Sequence, residues 1–355
     1  MSETLEQNLR SHGISRRAFL KYCTTLASLL ALPPSAATAM AAALGKAQRP
    51  SVIWLSFQEC TGCTESLTRS NSPSLEDLIF NSISLDYHET LQAAAGTAAE
   101  QARENAMREH YGKYILLVDG SIPLGHGGAY STVAGVSNLD TLKKVAAGAA
   151  AVVAVGTCSS FGGLPMANPN PTGAVAVSDI ITDKPVINVP GCPPIPVVIT
   201  GMVAHFLTFG ALPETDLHKR PKVFYGDTIH DRCYRRPFYD QGKFARTFDD
   251  EGARNGWCLY ELGCKGPITY NSCATLKWNE GTSFPIQSGH GCLGCSEPGF
   301  WDKGSFYQPL SASTWHDIPA LAIAAGAGVA VGAVAAVVSR HRQDNISQTP
   351  PAGEK

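Results

Sequence analysis

The placement of the cysteines constrains this chain more than any other feature. Of eleven cysteines in 355 residues, four stand just past short apolar runs. Val52-Ile53-Trp54-Leu55 leads into Gln58-Glu59-Cys60, and Cys63 completes a C-x-x-C pair. Ala151 to Val155 leads into Gly156-Thr157-Cys158, and Val186 to Val189 into Pro190-Gly191-Cys192. A further run, Tyr114 to Val118, ends at Asp119-Gly120. Continuous apolar runs of this kind suit parallel strands buried on both faces. Helical stretches lie between them, Ala93 to Arg108 and Asp140 to Ala149, which gives the alternation of a doubly wound α/β sheet. Such sheets bind ligands at the carboxyl ends of their strands, so Cys60, Cys63, Cys158 and Cys192 are expected to converge on one site from three loops. A lone buried cysteine is ordinarily inert packing. A redox pair made of Cys60 and Cys63 leaves the other two without a role. Gly62, Gly156 and Gly191 let the backbone approach a bulky ligand closely.

From about residue 226 the regular apolar runs stop, and Gly, Pro, aromatic and Cys residues dominate. His230-x-x-Cys233 is followed by Cys258, Cys264, Cys273 and a second C-x-x-C, Cys292 and Cys295. So small a region has little apolar core of its own, and bound metal would supply the missing cohesion. Composition excludes two broad classes. With 44% apolar and 16% charged residues, most of the chain is not disordered. With 28 basic against 30 acidic residues, no cationic excess drives nucleic-acid binding.

The two ends stand apart from the folded body. Ser15-Arg16-Arg17-Ala18-Phe19-Leu20-Lys21 precedes a charge-free stretch from Tyr22 to Gly45. Pro33-Pro34 breaks that stretch, and Ala41-Ala42-Ala43 supplies a small-residue cleavage site. This order of basic, apolar and small residues is an export signal of the twin-arginine type. Residues 1–43, including Cys23, are expected to leave with it. A second charge-free run, Ile318 to Ser339, is followed at once by Arg340, His341 and Arg342. A helix over that run reaches about 33 Å, close to the bilayer core. The basic stop keeps the tail, 340–355, in the cytoplasm and the body outside. Gly328 and Gly332 form a weak G-x-x-x-G that suggests a membrane partner.

Three kinds of chemistry compete for the cysteines. Two closed zinc sites would use eight ligands and strand Cys273, Cys292 and Cys295. Five disulfides are allowed by parity in an exported body, but C-x-x-C neighbours bridge poorly. Iron–sulfur clusters use Cys thiolates with occasional His. Composition and spacing favour clusters over zinc and zinc over disulfides. The twin-arginine route, which carries folded proteins, favours clusters further.

Cys-Thr-Gly-Cys-Thr-Glu-Ser at 60–66, Gly-Thr-Cys-Ser at 156–159, Pro-Gly-Cys-Pro-Pro at 190–194, the His230, Cys233, Cys258, Cys264 set and Gly-His-Gly-Cys-Leu-Gly-Cys at 289–295 together resemble the small subunit of a membrane-bound nickel–iron hydrogenase. The resemblance runs from the twin-arginine signal to the C-terminal anchor. It implies a flavodoxin-like doubly wound parallel sheet over 44–225, an irregular iron–sulfur cluster domain over 226–310, a linker at 311–317 and a transmembrane helix at 318–339. It implies two 4Fe-4S clusters and one 3Fe-4S cluster. Cys60, Cys63, Cys158 and Cys192 would hold the proximal 4Fe-4S cluster. Cys273, Cys292 and Cys295 would hold a medial 3Fe-4S cluster, with Pro285 at the place of a fourth thiolate. His230, Cys233, Cys258 and Cys264 would hold a distal 4Fe-4S cluster. One thiolate fewer in the medial set, and a neutral imidazole in the distal set, each favour the reduced form.

No paired C-x-x-C motifs of the kind expected of the nickel-binding large subunit stand at opposite ends of the chain, so the resemblance assigns it electron transfer and no catalytic residue. Hydrogen would be oxidised in that partner, and electrons would pass outward to a membrane cytochrome b and then quinone. Members that tolerate oxygen carry two extra cysteines, and Gly62 and Gly163 stand at those positions here. An ordinary proximal cubane and oxygen-sensitive activity follow. Glu59 and Glu65 flank the first pair as candidate proton relays, with helix-terminal acids the blander reading of each. His290 is a supporting donor rather than a ligand. Two other readings compete: the cluster subunit of a quinone-reducing complex, and an anchored structural zinc protein. No phosphate loop supports a flavin on the sheet.

Overall fold

The computed structural model describes residues 16–29, 33, 35–46, 49–71, 73–209 and 211–310. The expected linker, transmembrane helix and tail at 311–355 lie outside these residues. Among the described residues, no helix is long and apolar enough to cross a membrane.

Two helices, α1 (Arg16–Leu29) and α2 (Ser35–Lys46), flank Pro33-Pro34 and pack on each other. Proline disfavours a continuous helix through the pair, and the N-terminal segment forms two helices. The apolar runs of the body form strands β1 (Ser51–Ser56), β3 (Ile115–Asp119), β4 (Ala151–Val155) and β5 (Val186–Val189). A fifth strand, β2 (Ser84–His88), joins them. The sheet is wholly parallel, in the order β2-β1-β3-β4-β5, which is the flavodoxin-like order. Crossover helices include α3 (Gly62–Thr68), α4 (Thr97–Glu109), α5 (Asn138–Ala147) and α6 (Thr157–Phe161), and α7 (Pro196–Phe209) follows the last strand.

Alternate strand residues serve opposite faces. Ile53, Leu55, Leu116, Val118 and Val152 face the side covered by α4 and α5, through Ala99, Ala106, Leu142 and Val145. Val52, Trp54, Ile115, Leu117 and Val153 face the side covered by α3 and α7, through Leu67, Val198, Ile199 and Met202. Cys23, Ala27, Ala37 and Met40 of α1 and α2 are buried in that same second cluster.

Strand register then positions the loops. Ser56 pairs with Asp119, Asp119 with Val155, and Val155 with Val189. The four strands therefore end in one row, and the loops bearing Cys60, Cys158 and Cys192 leave the sheet side by side. The order of strands reverses between β1 and β3, where such sheets open a ligand crevice.

Between Gly226 and Leu310 the chain has only short turns of helix and isolated bridges. A small core of Ile229, Ala245, Leu259, Leu262, Phe284 and Ile286 forms there, with Cys233, Cys273 and Cys292 packed against it. Buried Arg220 ties this part to the sheet. It pairs with Asp216 at 2.7 Å and Glu297 at 2.8 Å, and also donates to the Ser296 carbonyl.

Candidate metal centre

The first set of thiols sits on the strand-end row. Cys63 lies in the first turn of α3 and Cys158 in the first turn of α6. Ser66 of α3 donates to the Pro194 carbonyl at 2.6 Å, which ties the Cys63 helix to the Cys192 loop. Tyr225, fully buried, holds the start of that loop through the Pro190 carbonyl at 2.7 Å. Cys60 and Cys192 are exposed, whereas Cys63 is buried. Burial pushes the Cys63 thiol up, and Asp119, Cys158 and Cys192 push it further. Burial carries Cys158 up to about 12, with Cys192 next among the causes. The four sulfurs of the first set thus act on one another across a shared space.

Two glycines make that space. A side chain at Gly156, where φ is +88°, would put Cβ 2.4 Å from Cys63 Sγ. At Gly163, with φ +55°, it would stand 2.7 Å from Cys158 Sγ. Gly62 lies against the same set, its Cβ position 3.1 Å from Cys60 Sγ. The floor of the crevice is acidic. Asp119 is 1% exposed and faces the Cys63 thiol. Burial, with Glu59 second, pushes it up to about 7. Asp119 Oδ2 and Glu59 Oε2 are buried without a hydrogen-bond partner. Glu65, by contrast, makes an exposed ion pair with Arg69 at 2.7 Å, an ordinary surface pairing along α3.

The second set holds Cys273, at the start of the turn Cys273–Leu276, with Cys292 and Cys295. Burial raises all three, and Cys295 acts on both others. The Trp278 side chain bonds to Cys273. Pro285 is exposed between buried Phe284 and Ile286.

The third set is gathered around one cavity lined by His230, Cys233, Cys258 and Cys264. Cys264 Sγ accepts from the amides of Gly266 at 3.4 Å and Cys292 at 3.3 Å. Burial and then Arg236 lower the His230 pKa. The imidazole is therefore kept neutral, the form that ligates metal. Its ring meets Tyr239 edge-on at 4.4 Å. His290 lies elsewhere in this region. Its Nδ1 is 2.8 Å from the Gly291 carbonyl and its ring stacks on Phe248.

The sets touch in a definite order. Cys192 of the first feels Cys295 of the second, and the Cys192 amide is turned on the Cys295 sulfur. Thr157 donates its hydroxyl to the Cys295 carbonyl. Cys292 of the second set donates its amide to Cys264 of the third. Arg220 carries no signal in the sequence, since a lone Arg has no spacing; Thr157 stands there as part of the Gly-Thr-Cys-Ser motif, with no role of its own. Asp119 was visible only as the end of a strand.

These donor sets fit iron–sulfur clusters. None of the eleven cysteines is in a disulfide. Among the described residues, no three or more His, Cys, Asp or Glu side chains converge tightly enough for a single metal ion. Zinc, bound about 2.3 Å from each sulfur, requires that convergence. Buried thiols pushed up in pKa need cationic metal to become thiolates. Amides aimed at sulfur, and glycines where a Cβ would strike sulfur, suit a bulky anionic cluster.

The comparisons with known proteins agree with this chemistry. Residues 225–308 match the family described as the C-terminal part of the NiFe/NiFeSe hydrogenase small subunit, and residues 60–206 match the NADH ubiquinone oxidoreductase 20 Kd subunit family. The chain is 51% identical over 98% of its length to the uptake hydrogenase small subunit of Azotobacter vinelandii, covering 99% of that protein. It is 48% identical over 98% of its length to the hydrogenase-1 small chain of Escherichia coli strain K12, covering 95% of it. A reduced, active form of the Ni-Fe-Se hydrogenase from Desulfomicrobium baculatum superposes with a TM-score of 0.70 at 36% identity. That match covers 74% of this chain and 100% of the other.

Proposed function

The chain belongs to the family of nickel–iron hydrogenase small subunits, and from that premise we propose the route its electrons take. The chain is the electron-transfer subunit of an uptake hydrogenase, an oxidoreductase completed by a nickel–iron large subunit. The proposal concerns which residues form the wire and where it leads. Cys60, Cys63, Cys158 and Cys192 hold a proximal 4Fe-4S cluster. Cys273, Cys292 and Cys295 hold a medial 3Fe-4S cluster. His230, Cys233, Cys258 and Cys264 hold a distal 4Fe-4S cluster. When bound, such clusters take up and release single electrons.

The observation that carries this reading is the chain of hydrogen bonds Gly191–Thr157–Cys295 and Cys292–Cys264, which orders the sets first, second, third. Exposed Cys60 and Cys192 put the first set at the surface of the isolated chain, where a large subunit would meet it. The residues divide the work. Gly156 and Gly163 clear room for the cluster. Amides of Gly266 and Cys292 stabilise charge on Cys264. Burial and Arg236 keep His230 neutral, which favours the reduced state of its cluster. Three donors in the medial set account for three irons by count alone. Gly62 and Gly163 lie against Cys60 and Cys158 and bring no extra sulfur, so the proximal cluster is a four-thiolate cubane and turnover is oxygen-sensitive.

The body divides into 44–225 with the sheet and 226–310 with the medial and distal sets. The leader, 1–43, is removed on export by the twin-arginine route. The 318–339 helix, reached through the linker 311–317, fixes the body to the periplasmic face of the membrane. The tail, 340–355, stays in the cytoplasm, and electrons leave for a cytochrome b and quinone. A quinone-reducing complex would share the region matched over 60–206, but the seven ligands from His230 to Cys295 fall outside that region.

The test is acid-labile sulfide and iron in anaerobically purified protein. The expected content is about twelve sulfides and about eleven irons per chain. Zinc without labile sulfide would overturn the assignment.

A further inference from the structure

We propose that Thr157 is the positioning residue that sets electron coupling between the first and second ligand sets, its hydroxyl clamping Cys295 against the Gly191–Cys192 loop. This rests on the ligand sets proposed above.

Thr157 is 1% exposed and directly precedes Cys158. Its Oγ1 accepts from the Gly191 amide at 2.9 Å and donates to the Cys295 carbonyl. Its own amide donates to the Gly191 carbonyl at 2.9 Å. A hydroxyl has a single proton, so the Gly191 amide fixes the direction in which that proton points. The segments that carry Cys158, Cys192 and Cys295 therefore meet on one oxygen. The same clamp brings the Cys192 amide to the Cys295 sulfur.

The other junction runs from backbone amides to a ligand sulfur and a carbonyl. The Cys292 amide donates to Cys264 Sγ at 3.3 Å, and the Lys265 amide to the Cys292 carbonyl at 2.7 Å. Thr157 therefore gives the first junction a side-chain clamp that substitution can alter.

The step it serves is simple. One electron leaves the cluster on the first set, which is oxidised, and enters the cluster on the second, which is reduced. No proton moves and no bond breaks. Tunnelling weakens steeply as the gap widens, and covalent and hydrogen bonds carry it better than empty contact. The path Cys158, Thr157, hydroxyl, Cys295 carbonyl is such a bridge. Without the hydroxyl, the Gly191 amide and Cys295 carbonyl are left unpaired in the interior, and the two loops have reason to part. An amide pulled off the Cys295 sulfur also lowers the medial potential, because hydrogen bonds to cluster sulfur favour reduction.

The experiment compares wild type, Thr157→Val and Thr157→Ser in the whole heterodimer. Oxidised samples are read by electron paramagnetic resonance in H2O and D2O. Hydrogen-driven reduction of the three-iron signal is followed by rapid freezing. Wild type is expected to show an exchangeable proton coupled to the three-iron signal. Thr157→Val weakens that coupling, lowers the medial midpoint and slows reduction of that signal several-fold, while the distal midpoint stays put. Thr157→Ser restores wild-type behaviour. A merely structural role would lower stability and leave these signatures alone. The inference is overturned if wild type shows no exchangeable proton. It is also overturned if Ser departs from wild type as far as Val, or if Val keeps the proton coupling and the rate. Absence of a three-iron signal from wild type would instead remove the ligand assignment and, with it, this role.

Discussion

Gly156 shows how little latitude the first ligand set leaves its neighbours. Its φ of +88° and the 2.4 Å approach of a Cβ to Cys63 Sγ act together. Either alone could be absorbed by a small shift; both at once force the backbone away from the thiol. Gly156→Ala is therefore expected to lose the proximal cluster while the other two persist. Labile sulfide should fall by about four per chain, and the three-iron resonance should remain. Unchanged sulfide would mean that the strand-end loop is softer than its contacts imply. The glycine itself was legible as a place for close backbone approach. That Cys63 was the group approached was not, because the two residues follow different strands and only register brings them together.

Among the elements, β2 was the one the sequence hid. Ser84-Leu85-Asp86-Tyr87-His88 is a polar alternation, unlike the apolar runs of β1, β3, β4 and β5. It lies at the sheet edge, paired on one side only, so it need not be apolar throughout. The interior strands were legible because burial on both faces demands unbroken apolar sequence. The irregular region was legible from its cysteines alone, since its core is small and its turns follow no period. His88 closes β2 opposite Trp54 in the register, with ring centroids 5.0 Å apart. It is fully buried, and Nε2 lies 3.3 Å from Thr64 Oγ1. Burial pushes its pKa down from 6.5 to about 4. The folded state therefore binds fewer protons than the unfolded state between these values. Stability from this group is complete above pH 6.5 and is lost as pH falls towards 4. The loss amounts to about 3 kcal/mol at most. His88→Phe keeps an aromatic ring beside Trp54 but cannot titrate. Urea midpoints at pH 7 and pH 5 should differ less in the variant than in wild type. Equal differences would show that His88 does not govern the acid limb.

At the scale of the whole molecule, one direction of travel organises everything the residues do. The strand-end row places the first thiols at an exposed edge. On the proposed assignment, Thr157 joins the first set to the second, and Cys292 joins the second to Cys264 of the third. Such a wire is useful only if its far end meets an acceptor. The charge-free run from Ile318 to Ser339, of a length that suits a bilayer and followed by Arg340, His341 and Arg342, is the proposed anchor. Anchoring would then leave the clusters unaltered and confine the outlet to the plane where a membrane acceptor diffuses. A chain ending at Leu310 should accordingly keep its labile sulfide, its large subunit and hydrogen oxidation with a soluble dye. It should leave the membrane fraction and lose hydrogen-dependent quinone reduction. Fractionation of cells carrying the truncated and full chains, with both assays on each fraction, separates these effects. Retention of the truncated heterodimer on membranes would show that another surface binds there. Loss of dye-linked activity together with sulfide would show that residues 311–355 support the fold rather than its location.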